Sequence, residues 1–228
     1  TYAHLADWIF FLARTDPKAP KHKGISFLLC EMTTPGVEAR PISLISGRSH
    51  FCETFFTNVR VPKGNLVGEI NKGWEIAKYL LTHERDTSPG PRQVASLPPL
   101  GQVAMTLEGR ADGRLPDAAM RSSLAALDVD SWAFALTMER IRDESRSGQG
   151  TGANSSVIKY YGAELHKRRE EMRMALLGSD GLEWESARSD EGKAPREWLR
   201  SKAGSIAGGT SEINLNIISK RILGLPES

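Results

Sequence analysis

The chain has 228 residues, with 30 Lys and Arg against 28 Asp and Glu, and 39% of its residues are hydrophobic. This composition allows one or two ordinary hydrophobic cores, and scattered basic residues near charge balance argue against a nucleic-acid-binding arm. We expect neither a signal peptide nor a membrane-spanning helix. The two cysteines, Cys30 and Cys52, lie in apolar runs that suit reduced, buried thiols of a cytoplasmic protein.

The first part of the chain is predicted to be a β region. Short apolar runs bounded by turn-forming residues are typical of strands, and these runs carry no helical periodicity. The expected strands lie at 8–13, 24–30, 37–42, 52–56 and 59–62. A generic β-sandwich fragment would show the same periodicity.

After Gly68 the sequence becomes helical in character. Helices are expected at 74–86, 97–108, 117–147, 155–176 and 210–223. Long helices joined by short links predict an antiparallel bundle. We therefore predict an α+β chain, in which residues 1–68 are the C-terminal part of a middle β-domain and residues 69–228 are a C-terminal helical bundle.

Glu84 lies on an unexpected face of the first predicted helix. At about 100° per residue, it falls near the middle of the apolar arc formed by Trp74, Ile76, Ala77, Leu80 and Leu81. A carboxylate there is costly unless it is paired, protonated or functional, and burial raises its proton affinity, which suits a base for a weakly acidic C–H proton. The alternatives are that the helix bends or ends early, or that Glu84 pairs with an interior arginine.

The glycine pair near the C-terminus precedes the last predicted helix. Gly208 and Gly209 free the backbone for close approach to a ligand, and Thr210 and Glu212 mark a helix start. Backbone N–H groups at such a start suit a carbonyl oxygen or an anion. The alternative is only a capped helix, with Thr210 as the N-cap and Glu212 as a dipole-stabilised carboxylate. The expected buried stripe of this helix is Ile213, Ile217, Ile218 and Ile222.

These segments resemble the flavin-dependent acyl-CoA dehydrogenases. The stretch 204–226 resembles the family's C-terminal signature, and 55–68 resembles its closing β strand and exit loop. Residues 6–8, Ala-Asp-Trp, align with the family's small-Asn/Asp-Trp strand. The resemblance implies that the chain covers roughly the C-terminal three-fifths of a subunit, without the N-terminal helical domain and the first strands of the middle domain.

The same resemblance implies which residues carry the chemistry. Most of the family has its catalytic glutamate at the position of Gly208, whereas the isovaleryl and long-chain acyl-CoA dehydrogenases have a Glu-Arg pair on the first bundle helix, which Glu84 and Arg85 match. Glu84 would remove the α-proton of an acyl-CoA thioester, the backbone N–H of Gly208 would polarise the thioester oxygen, and Arg85 would support the base. An ordinary surface salt bridge is the alternative role of Arg85.

FAD is the cofactor that the resemblance implies. Thr1 matches the threonine of the family's Trp-x-Thr motif, which contacts the isoalloxazine ring, and Thr210 and Glu212 match positions that approach the flavin. The expected product is a trans-2-enoyl-CoA, with electrons passing to an electron-transferring flavoprotein. For the chain as given, weak or absent flavin binding is expected. No metal site is expected, because the histidines show no ligand spacing.

Several motifs depart from the family pattern. The family's Arg-x-x-Phe-Gly motif is absent, and Asn214-Leu215 stand where Gln-Arg is frequent. These departures resemble a branch that acts on bulky acyl-CoA esters of fatty acid or steroid side-chain β-oxidation, some of whose members are mixed oligomers. We expect a homo- or hetero-oligomer, a dimer of dimers.

Two other functions stay open. The chain is alternatively a non-catalytic subunit or fragment that serves the assembly of a heteromeric acyl-CoA dehydrogenase, or, less favoured, an oxidase relative that reacts directly with oxygen. The charged run 167–171 is expected to be a solvated helix face.

Overall fold

The computed structural model describes residues 1–87, 99–148 and 154–226, and the side chains of all of these except 82–87. The chain divides into two compact units, Thr1–Thr87 and Ser88–Ser228. The first unit is a β region that ends in one helix, and the second is helical. The predicted α+β class is therefore confirmed.

The strands of the first unit form two antiparallel arrangements. The strands are β1 (Trp8–Arg14), β2 (Ile25–Glu31), β3 (Val37–Ile42), β4 (Phe51–Phe56) and β5 (Leu66–Val67). β2 is the central strand of a three-stranded sheet with the order β1-β2-β5, and β3 pairs with β4. Burial alternates along β1, so that Trp8, Phe10 and Leu12 point to the exposed face, as the two-residue period of a strand requires.

Four of the five expected strands are present, but the strand at 59–62 is wrong. That segment is irregular; it follows Asn58, whose φ is +52°, and it ends at Pro62. A left-handed residue interrupts a strand, and proline has no N–H for a ladder hydrogen bond. The chain instead pairs with the sheet a few residues later, at β5.

Helix α1 (Gly73–Thr87) packs on β2 through its first half. Ala77 is buried, and a Cβ at Gly73 would lie only 2.3 Å from the Phe27 nitrogen, so the helix begins in direct contact with the strand backbone. Leu80 and Leu81 are 37% and 47% exposed, so only the first part of the expected apolar arc is buried. Because of this packing α1 belongs to the first compact unit, and the expected domain boundary after Gly68 stays a prediction.

The second unit is built around two long helices. The helices are α2 (Gly101–Glu108), α3 (Ala118–Arg146), α4 (Asn154–Leu177), α5 (Lys193–Ser201) and α6 (Ser211–Arg221). The long helix α4 packs against α3, α5 and α6, and the core of this unit includes Leu124, Leu127, Phe134 and Leu165. None of the described helices is both long and apolar enough to cross a bilayer.

Local sequence signals explain most of these boundaries. The carboxylate of Asp117 caps α3 by accepting hydrogen bonds from the N–H groups of Ala119 and Met120, at 2.7 and 3.0 Å. The sequence did not predict α5, because it begins after Asp190-Glu191-Gly192, a run typical of a surface loop. Gly192 adopts φ +74° and is the N-cap of this helix.

Candidate functional site

A sharp bend of residues 204–210 connects α5 to α6. Gly208 and Gly209 have φ values of +70° and +98°, which L-amino acids with a side chain rarely adopt. Around Gly208 there is open space, since the nearest described atom to a Cβ there would be Lys159 Cε at 3.9 Å. Within the described part of the chain, the Gly208 N–H donates no hydrogen bond. The bend therefore presents an exposed backbone donor.

Thr210 ends the bend and caps α6. Its backbone is extended, and its Oγ1 accepts a hydrogen bond from the Ile213 N–H at 3.3 Å. The predicted helix start is thus confirmed. This geometry is that of an N-cap, which satisfies one of the free N–H groups of the first turn.

The Glu212 carboxylate completes this cap. Hydrogen bonds from its own backbone N–H and from the Thr210 hydroxyl lower the pKa of Glu212, and the nearby charge of Lys159 lowers it further. The structure therefore shows the capping role for Thr210 and Glu212, and their contact with FAD stays a prediction.

Asn214 fixes the bend from the inside. Its Nδ2 donates to the carbonyl oxygens of Gly209 and Thr210, both at 2.9 Å, and the residue is 5% exposed. Ile213, expected in the buried stripe of α6, is 53% exposed, and Ile222 is exposed as well. The stripe prediction is wrong in part, because the interior position beside the bend is taken by a residue that can satisfy two backbone carbonyls. The sequence signalled this residue only as a departure from the family's Gln-Arg.

A charged cluster on α4 lies under the bend. The Lys167 ammonium contacts Glu164 Oε1 at 2.7 Å and donates to Ser205 Oγ at 2.6 Å, and the Ser205 hydroxyl in turn reaches Glu164 Oε1 at 3.3 Å. These contacts attach the segment after α5 to α4. Sequence reasoning did not identify this cluster, because Ser205 lies 38 residues from Lys167 and 41 residues from Glu164 along the chain.

Three of the predicted site residues belong to the first compact unit. Thr1 is exposed, and the backbone beside it is held by a hydrogen bond from the Tyr2 N–H to the His50 carbonyl oxygen at 2.6 Å. Glu84 and Arg85 lie in the last turns of α1, but their side chains are outside the described residues. The roles of all three stay predictions, whereas Gly208, Thr210 and Glu212 come together at the bend.

One turn before Glu84, the side chains on the same face of α1 are exposed to solvent. Leu80 and Leu81 precede it by four and three residues, which places them on the same side of α1, and both are exposed. The described residues therefore do not supply the burial that the apolar arc indicated. Among those residues, no group of three His, Cys, Asp or Glu side chains is arranged to hold a metal ion.

Comparison with known proteins gives a direct match that begins just before α1 and extends through most of the second unit. A family model described as "Acyl-CoA dehydrogenase, C-terminal domain" matches residues 71–223. Acyl-CoA dehydrogenase FadE34 of Mycobacterium tuberculosis is 38% identical over 229 residues, which cover 98% of this chain and 30% of FadE34.

Solved structures agree with this match. The Tcur3481-Tcur3483 steroid ACAD is similar with a TM-score of 0.76 at 28% identity, covering 99% of this chain and 58% of that one. The ChsE4-ChsE5 complex of Mycobacterium tuberculosis is similar with a TM-score of 0.78 at 29% identity, covering 99% and 59%. This chain thus spans about a third to three-fifths of the length of these relatives. It belongs to the acyl-CoA dehydrogenase family.

Proposed function

We propose that the full-length protein is an FAD-dependent acyl-CoA dehydrogenase, which converts an acyl-CoA thioester to a trans-2-enoyl-CoA. The observation that carries the proposal is the bend at Gly208, in a chain that belongs to this family. Its free backbone N–H, next to the N-terminus of α6, is a preorganised donor for a carbonyl oxygen. Acyl-CoA is the proposed substrate class.

The residues present fit part of an FAD site. Exposed hydroxyl groups and backbone donors suit the polar edge of a flavin. The first unit supplies the exposed hydroxyl of Thr1, and the second supplies the free Gly208 N–H. When it is bound, FAD accepts the β-hydrogen of the acyl chain as a hydride. The protein's contribution is to position the substrate and to stabilise charge.

The Gly208 N–H is proposed to hold the thioester oxygen. The α-proton of a thioester is weakly acidic, so its removal places negative charge on that oxygen, and an aimed N–H stabilises the charge without reorganisation. Asn214 holds the neighbouring carbonyl oxygens of Gly209 and Thr210, and the Thr210 cap fixes the start of α6. These contacts keep the donor in one orientation.

Glu84 is the proposed base, and Arg85 the proposed support for it. Gly208 has no side chain, so the carboxylate has to come from another element. Burial raises the proton affinity of a carboxylate, as a base for an α-proton requires, and a partner packed on the exposed face of α1 around Leu81 would supply an apolar surface near this turn.

A bulky, steroid-derived acyl group and a mixed oligomer are the finer parts of the proposal. Two of the solved structures that are similar to this chain are a steroid ACAD and the ChsE4-ChsE5 complex, at 28% and 29% identity. An electron-transferring flavoprotein is the proposed electron acceptor. The free thiols Cys30 and Cys52 support a cytoplasmic location.

A non-catalytic subunit is the second candidate. Gly208 lacks the carboxylate, and the face of α1 beside Glu84 is uncovered by the described residues. Both observations favour a chain that is retained for assembly with a partner that holds the working flavin.

The flavin spectrum of the full-length protein separates the two candidates. A dehydrogenase shows a bound-flavin spectrum that one of a panel of short, branched or steroid-derived acyl-CoA esters bleaches. Glu84→Gln should abolish the bleaching with the flavin still bound, and Glu75→Gln, on the exposed side of α1, should leave it unchanged. A flavin-free full-length protein would support the assembly subunit, and bleaching that survives Glu84→Gln would remove Glu84 from the reaction.

A further inference from the structure

Lys159 on α4 reaches the inner side of the glycine bend. Its Cε would be the nearest described atom to a Cβ at Gly208, at 3.9 Å, and its Nζ is enclosed by the protein. Within the described residues this ammonium nitrogen has no hydrogen-bond partner. A shielded cation without a hydrogen bond is costly, so ordinary packing does not account for a lysine at this position.

The carboxylates near Lys159 have closer partners. Glu164 contacts the Lys167 ammonium at 2.7 Å and accepts from Ser205, and Glu212 is engaged by its own N–H and by Thr210. Burial lowers the pKa of Lys159, the charges of Glu164 and Glu212 oppose that shift, and Lys167 adds to it. The two carboxylates therefore favour the charged form of Lys159, although neither makes a hydrogen bond to its ammonium group.

We propose that Lys159 is a positioning residue, whose charge gives the bend at Gly208 the positive potential that stabilises negative charge on an oxygen bound to its N–H. This inference rests on the proposed function. Because the nitrogen is enclosed, Lys159 acts through the bend and does not touch the substrate. Gly208 has no side chain that could pair with the charge of Lys159.

The first test concerns the bend alone and needs no activity. In the 228-residue chain, the α-carbon resonance of Gly208 is followed by carbon-detected NMR through the alkaline titration of lysine, because the unprotected amide proton exchanges with water too fast at that pH. It should shift with a pKa below that of exposed lysines, and Lys159→Met should remove that shift, since methionine keeps an aliphatic stem without the charge. The control Lys193→Met removes an exposed charge on α5 and should leave the titration intact. A Gly208 resonance that titrates identically in Lys159→Met would overturn the proposal.

The second test follows exchange of the thioester α-proton with deuterated water in the full-length protein. Lys159→Met should slow exchange by about 10- to 100-fold, somewhat less than the loss of a direct oxyanion donor. Most of the effect should fall on kcat rather than KM, and Lys159→Arg should recover most of the rate. Exchange at the wild-type rate in Lys159→Met contradicts the proposal.

The two proposals can fail separately. If the wild-type protein neither exchanges the proton nor bleaches its flavin, the proposed dehydrogenase is wrong, and the Gly208 titration still decides whether Lys159 charges the bend. Thermal unfolding is measured for each variant, and Lys159→Gln replaces Lys159→Met if the latter fails to fold. A loss of rate that Lys159→Arg does not recover would assign the residue a packing role and reject the inference.

Discussion

Gly73 is the first residue of α1 and Gly208 lies in the bend before α6, and the two positions require glycine for different reasons. Gly73, in the first unit, is crowded, because a Cβ there would meet the backbone of Ser26 and Phe27 at 2.3–2.8 Å. Gly208, in the second unit, lies in open space and is required by its φ of +70°. A crowded glycine indicates packing between elements, whereas an open glycine with positive φ leaves the backbone accessible to a ligand.

The largest expected effect is at the crowded position. Gly73→Ala forces the Cβ into the backbone of β2, so α1 must separate from the sheet, and we expect a loss of roughly 3–5 kcal/mol in the free energy of unfolding. Gly64→Ala is the control, since a Cβ there meets no described atom within 4 Å. Denaturant unfolding of the chain measures both, and equal stability of the two variants would remove the distinction drawn between the glycines.

A smaller effect is expected from Asn214, which supports the open glycine. Asn214→Ala leaves the carbonyls of Gly209 and Thr210 without their donor and should cost about 1–3 kcal/mol. Asn216→Ala, at an exposed position of α6, should change the free energy of unfolding very little. If both variants unfold at the same denaturant concentration, Asn214 does not hold the bend.

The next smaller effect is expected from loss of the N-cap of α6. Thr210→Ala removes the acceptor for the Ile213 N–H and should cost about 1 kcal/mol, and Thr210→Ser should restore most of it. Hydrogen exchange of the first-turn amides of α6 measures the effect locally. Protection that is unchanged in Thr210→Ala would show that the cap contributes nothing.

The smallest effect is a pH dependence at Glu212. Because its folded-state pKa is lowered, its contribution to stability is present above the unfolded-state value and is lost as the pH falls through the folded-state value. Acidification through the carboxylate range should therefore weaken protection of the first turn of α6, and Glu212→Gln should flatten that dependence. An unaltered profile in Glu212→Gln would assign the acid sensitivity to other carboxylates.

The long helices and the start of the last helix could be predicted from the sequence. α3 and α4 follow from sustained helical periodicity, and the start of α6 follows from Thr210, because caps and periodicity are local signals. The predictions that are wrong concern residues whose burial depends on contacts between distant segments of the chain. Ile213 is exposed and Asn214 buried because the bend needs donors for its carbonyls, which helical periodicity does not record.

The charged run on α4 shows the same limit. The prediction that this run is a solvated face is wrong for Glu170, which is only 5% exposed. The reason is that α4 packs against several other helices, so that little of its surface is in contact with water. Arg173 lies 3.7 Å from Glu170 and compensates part of the buried charge. At the candidate site, the bend and its cap were predictable, but Lys159 was not, since only folding brings α4 under the bend.

The outward row of Trp8, Phe10 and Leu12 on β1 has a practical consequence for work at the bench. Within the described residues β1 is an edge strand of its sheet. It therefore combines unpaired backbone groups with an exposed hydrophobic surface, to which a second molecule can bind. Preparations should scatter more light as they are concentrated, and dilute samples with a solubility-enhancing fusion are the better starting point for spectroscopy.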